Sequence, residues 1–148
     1  MNTWILVADS VEAKIFKSKD LHYVNELTFV KEFKHEAGRK KDSELVSDGP
    51  GHYQSGNAHG SYGEKHEARE IEVDHFAAEL AHMLKAAWEL HEYKNLVIVA
   101  PAHFYGYIQK HLDKHVVRES KMEHIIKDYT KYTTLHLAES LKEHFFVV

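Results

Sequence analysis

The spacing of apolar and polar residues changes several times along the chain, and each change marks an element. Residues 3–8 form a continuous apolar run, the pattern of a strand covered on both faces. Asp9-Ser10 follows as a turn, and residues 13–17 read as a second strand. Residues 25–33 alternate, with Leu27, Phe29 and Phe33 on one face and Thr28 and Val30 on the other. Short connections predict an antiparallel meander of these three strands. Periodicity then vanishes over residues 37–65, which hold six of the seven glycines. A stretch of that kind within a domain is as a rule functional or disordered.

Helical spacing begins soon after His66. Val73, Phe76, Ala77, Leu80, Leu84, Ala87, Trp88 and His91 recur at intervals of three and four and define one apolar face. Residues 96–100 read as a buried central strand, and Pro101 suits the first position of the next helix. The inner face of that helix is Phe104, Tyr107, Ile108, His111 and Leu112. A short helical turn within 114–121, a last strand over 124–130 and a closing helix complete the chain. Thr133 or Thr134 caps that closing helix, which turns Leu137, Leu141 and Phe145 inward. The predicted fold class is α/β: a mixed sheet in the order βββ–long loop–αβαβα, with helices packed on it.

Length narrows this further, since 148 residues suit one domain with a sizeable core. Cysteine is absent, which excludes disulfides and thiolate chemistry, so a zinc site would need His and carboxylates. No segment reads as a signal peptide or reaches membrane-spanning length, so a cytoplasmic location is expected. The formal net charge of -4 supplies no global basic field, and RNA contact would need a local basic patch. The 14 histidines are scattered and read as solvated surface residues. No P-loop, Gly-x-Ser-x-Gly elbow or HExxH motif occurs, so neither ordinary hydrolase nor NTPase chemistry is expected, and no cofactor.

Several local patterns resemble one family. Val7-Ala8-Asp9-Ser10 before Ala13-Lys14-Ile15-Phe16 resembles its opening strand, acidic turn and second strand. Gly38-Arg39-Lys40-Lys41-Asp42-Ser43, then Val46-Ser47-Asp48-Gly49-Pro50-Gly51, is similar to its loop. His66-Glu67 opens the long helix, and Val97-Ile98-Val99-Ala100-Pro101 with Phe104 and Gly106 resembles its strand–proline–helix junction. Ile126-Lys127-Asp128-Tyr129-Thr130 matches a later segment, with Tyr129 in place of the usual leucine. In this order the motifs resemble the bacterial host-attachment protein family (protein required for attachment to host cells). The resemblance implies a ribonuclease H-like fold, similar to the middle domain of archaeo-eukaryotic peptide-release factors. It also implies a ribosome- or tRNA-directed role in release or rescue. The Gly-Gly-Gln tripeptide of those factors is absent here; the loop reads Gly51-His52-Tyr53-Gln54-Ser55-Gly56.

Gln54 is therefore the candidate for a hydrolytic role, set against an ordinary solvated glutamine. Arg39, Lys40 and Lys41 form the densest basic cluster and suit phosphate contact, with His52 and Tyr53 nearer the loop tip. The plain alternative is a solvated turn balanced by Asp42 and Glu44. Asp9, Asp48 and Asp128 could share a divalent metal in a nuclease, or merely form turns and ion pairs. His111 and His115 would share a helix face if one helix carried both. A non-enzymatic protein-binding module, accessory to host attachment or stress response, is the competing functional class. The apolar end Phe145-Phe146-Val147-Val148 predicts docking on the chain's own sheet or on a second subunit of a homodimer.

Overall fold

The computed structural model describes residues 2–19, 26–35 and 58–146, with side chains from 67 to 145 in the last span. Five strands form one mixed sheet: β1 Thr3–Ala8, β2 Glu12–Ser18, β3 Thr28–Lys34, β4 Asn95–Val99 and β5 Lys121–Ile125. Their order is β3-β2-β1-β4-β5. The expected meander is present, since β1 pairs antiparallel with β2 and β2 with β3. β4 lies parallel to both β1 and β5. This is the expected α/β class with a mixed sheet.

Alternation along β1 explains its unbroken apolar run. Trp4, Leu6 and Ala8 join one core, and Ile5 and Val7 join the other. In β4, Leu96 and Ile98 go with the first core, Val97 and Val99 with the second. The first core is closed by α1 Ala58–Glu89 and α2 Ala102–His111. The second is closed by α4 Thr134–Phe146, and the short α3 Lys114–Glu119 lies between α2 and β5. Helices thus cover both sheet faces, with Leu137 and Leu141 of α4 buried as expected and Phe145 packed against their cluster. The apolar C-terminal segment therefore docks on its own sheet as far as Phe145.

Four details depart from the sequence reading, each for a physical reason. Phe29 does not share a face with Phe33. The register shifts at Ile15/Phe16, where Val30 is left without an opposite number, and this bulge reverses the phase of β3. Phe33 packs with the first core, while Phe29 meets Phe16 edge-on and Leu27 joins the second. Next, α1 starts at Ala58, so residues 58–65 are helical rather than loop. Each glycine there costs about 1 kcal/mol, but extending an existing helix is cooperative. The last strand is Lys121–Ile125 rather than 124–130, because Asp128 Oδ1 accepts from the Thr130 N–H and offers that backbone a turn. Finally, His91 is exposed at φ 58, beyond the helix. Its N–H donates to Trp88 O and that of Glu92 to Ala87 O, the bond pattern of a Schellman cap.

His124 on β5 is half-buried and, with the buried His35, departs from a mostly solvated set of histidines. Its ring lies 3.3 Å from that of Tyr105, centroid to centroid, and its Nε2 is buried without a hydrogen-bond partner. Burial lowers its pKa below the ordinary 6.5, against a bond to the Ala100 backbone that favours the charged form. The native state therefore binds less proton than the unfolded chain just below that value, and stability is lost as pH falls. Melting temperature should drop more steeply between about pH 7.5 and about 5.5 in the wild type than in His124→Phe. Parallel declines would show that His124 does not carry this dependence.

Candidate functional site

The parallel strands β1, β4 and β5 all end at one edge of the sheet, where open α/β sheets place their ligands. The β1–β2 turn is organised there by Asp9, whose Oδ1 accepts from the N–H groups of Val11 and Glu12, both at 2.8 Å. Its other oxygen, Oδ2, lies 3.2 Å from the hydroxyl of Thr130, which is also 2.6 Å from Asp128 Oδ1. One hydroxyl proton cannot serve two carboxylates, so the short contact to Asp128 takes it and Asp9 Oδ2 keeps a weaker one. Lys14 Nζ donates to the Thr130 carbonyl at 3.0 Å, binding the segment after β5 to the hairpin.

Beside this junction Glu12 is buried, with Lys131, Lys34 and Lys14 at 3.4, 3.8 and 3.9 Å. Three carboxylates (Asp9, Glu12, Asp128) thus stand among three ammonium groups, so the edge is polar and compensated rather than uniformly charged. His35, directly after β3, closes the far side. Its N–H donates to Val11 O at 2.7 Å, and its Nδ1 lies 2.7 Å from Ser10 O. A carbonyl only accepts, so Nδ1 carries the hydrogen and the buried Nε2 is left without a partner. The imidazole stacks on Phe76 of α1, 4.8 Å between centroids and 8° from parallel.

Beyond β5 an aromatic ladder rises at the same edge. Tyr129 stacks on Tyr132 at 4.5 Å, and Tyr132 on His136 at 3.9 Å. Tyr129 and Tyr132 are half-buried, whereas His136, Lys127 and Lys131 are exposed. Burial raises the Tyr129 pKa, helped by Tyr132 and Glu143, so its phenol stays protonated.

Of the residues singled out in the sequence, Asp9 and Asp128 converge, both on Thr130. They act there as hydrogen-bond acceptors, and among the described residues no group of three or more His, Asp or Glu is arranged to hold a metal. Arg39, Lys40, Lys41, Asp48, His52, Tyr53 and Gln54 lie outside the described residues. His111 and His115 are separated, because α2 ends at His111 with Leu112 as its C-cap and Asp113 caps α3. His111 instead meets Asp74 of α1 at 2.9 Å. Gly106 faces open space, so packing does not demand a glycine there. Sequence reasoning passed over Glu12, His35 and the ladder, and took Thr130 only as part of a family motif. The one available signal was Tyr129 and Tyr132 flanked by lysines.

Comparison with known proteins places this chain in a family. Residues 4–141 match the family described as "Protein required for attachment to host cells". The chain belongs to that family. The matched span takes in all the motifs that carried the resemblance. No match was found among curated protein sequences. Among solved structures, this chain is similar to an archaeal translation termination factor. That factor is 11% identical at a TM-score of 0.48, over 94% of this chain. The chain corresponds to only 37% of the factor's length. Among the described residues of this host-attachment protein, no helix is long and apolar enough to cross a membrane.

Proposed function

We propose that this host-attachment protein contacts RNA of the ribosome or of tRNA through its 37–65 segment, as a release or rescue factor would. The observation that carries the reading is the anchorage of that segment's root. His35 is bound through its N–H and Nδ1 to the β1–β2 turn and stacked on α1, at the edge where α/β sheets meet ligands. Arg39, Lys40 and Lys41 follow by four to six residues, a reach of at most about 22 Å. The Tyr129–Tyr132–His136 ladder with Lys127 and Lys131 adds π-faces beside cations, a combination that suits RNA. In this reading the basic triplet neutralises phosphate, His52 and Tyr53 lie nearer the bases, and Gln54 is the group to test for peptidyl-tRNA hydrolysis.

The test is co-sedimentation of the protein with ribosomal subunits and polysomes at low and moderate salt. Wild-type protein should associate in a salt-sensitive manner. Arg39→Ala/Lys40→Ala/Lys41→Ala should weaken binding at least about tenfold and flatten the log–log salt slope by about two. Absence from every ribosomal fraction, even after induced stalling, would sink the RNA reading. A second reading, a protein-binding accessory to host attachment or stress response, is favoured by Ile126 and Leu135, which are 58% and 71% exposed. It predicts a protein partner whose capture is insensitive to the basic triplet.

A further inference from the structure

A cleft of about 670 Å³ opens where α2 ends and α3 begins, lined by Gln109, Lys110, Leu112, Lys114, Val117 and Arg118. It lies at the amino end of β4 and β5, since β5 begins at Lys121 opposite Asn95. The loop root and the Thr130 junction are therefore at the other end of the sheet. The volume is that of a small-molecule site.

The lining combines cations with an apolar floor. Lys114 and Arg118 are four residues apart on α3 and share a face, an arrangement of like charges that weakens a helix when nothing answers it. Both are exposed, and neither makes an ion pair with a described residue. Asp113 does not answer them: it caps α3, accepting from His115 N at 2.9 Å, and meets Lys85 at 3.6 Å. Lys110 is held at 3.0 Å by Asp74 and stays largely exposed. Among the described residues the lining has no carboxylate. Val117 is 42% exposed, apolar area left at the centre of a cationic rim.

We propose that this cleft binds a nucleotide, with the phosphate between Lys114 and Arg118 and the base over Leu112 and Val117. A phosphate monoester carries about two negative charges at neutral pH, which matches the pair of cations without an ion-pair partner among the described residues. A simple carboxylate would leave one of them unanswered. The flat base suits the apolar floor, and Gln109 offers an amide to its edge. The guanidinium of Arg118 can meet two phosphate oxygens at once. The nucleotide is either free or the 5′-phosphorylated end of an RNA strand, since both present a phosphate monoester beside a base. The site does not depend on the RNA reading of the loop.

The experiment is a titration of the isotope-labelled full chain, followed by backbone amide resonances at fixed ionic strength. The probes are adenosine monophosphate, inorganic phosphate and a short single-stranded uridine RNA bearing a 5′-phosphate. Saturable shifts over residues 109–118 with the mononucleotide would assign a free nucleotide, and shifts with RNA alone would assign a strand. Lys114→Gln/Arg118→Gln should weaken binding at least about tenfold, because both charge-assisted contacts go. Lys114→Arg should retain binding. The proposal is overturned if neither nucleotide probe moves these resonances or if the double variant binds as the wild type does. It is also overturned if inorganic phosphate binds as tightly as the mononucleotide, since the floor would then contribute nothing.

Discussion

Leu80→Ala should lower the unfolding free energy by about 3 kcal/mol, within the 2–5 kcal/mol range of buried leucine truncations. Leu80 is fully buried on the inner stripe of α1, in the cluster that includes Leu6, Ile98 and Ile108. The helix has little freedom to settle into the space left behind. Near its C-terminus the Leu84 carbonyl accepts from the buried Tyr93 hydroxyl at 2.6 Å, and the Schellman cap fixes the exit. Farther toward its start, Phe76 is clamped between His35 and Phe104. A cavity that cannot collapse retains its full energetic penalty. Since domains of this size are stable by only about 5–15 kcal/mol, a large share would go. Urea unfolding should show a lower midpoint at unchanged m-value. Leu90→Ala, at a side chain 72% exposed, should stay within about 0.5 kcal/mol of wild type. A loss below about 1 kcal/mol for Leu80→Ala would mean that α1 packs differently.

The fold was legible wherever burial imposes a period. The α1 stripe from Val73 to Ala87 and the two-sided β1 and β4 runs could be read directly, because helices and strands must present apolar residues at those spacings. The β3 bulge could not. Leu27, Phe29 and Phe33 alternate cleanly, and nothing local to Val30 announces that the register slips and sends Phe33 to the opposite core. The end of β5 was misplaced for a related reason. Ile126, Tyr129 and Thr130 have strand-forming side chains, while the Asp128 turn that captures Thr130 is a local competition. His91 fits the helical spacing, yet the chain leaves the helix just before it, through a cap usually formed by glycine.

The site was less legible because its parts lie far apart in sequence. Asp9 and Asp128 could be chosen as strand-end carboxylates, but their meeting at Thr130 depends on the parallel alignment of β1, β4 and β5. Glu12 gave no sign of burial, since its position among Lys14, Lys34 and Lys131 depends on the hairpin and the segment after β5 together. His35 ended an unremarkable charged stretch. Its importance comes from Ser10 and Phe76, both remote in sequence.

Asp9 is where the turn-forming and metal-binding readings make opposite predictions. Asp9→Ala leaves the Val11 and Glu12 N–H groups without their acceptor and removes one of the contacts on Thr130. Each such bond to a charged acceptor is worth about 1.5–3 kcal/mol, and the two share one oxygen, so the loss should be about 2–3 kcal/mol. Asp9→Asn keeps a carbonyl oxygen in the same place and should lose less than about 1 kcal/mol. Its amide can also donate to Thr130 Oγ1, relieving the competition of two carboxylates for one proton. Chemical unfolding of the two variants separates these cases, and amide exchange at Val11, Glu12 and Thr130 should quicken in Asp9→Ala alone. If Asp9→Asn is as damaging as Asp9→Ala, the negative charge matters beyond the acceptor. That result would direct attention to the cations around Glu12, or to a metal ion at this edge.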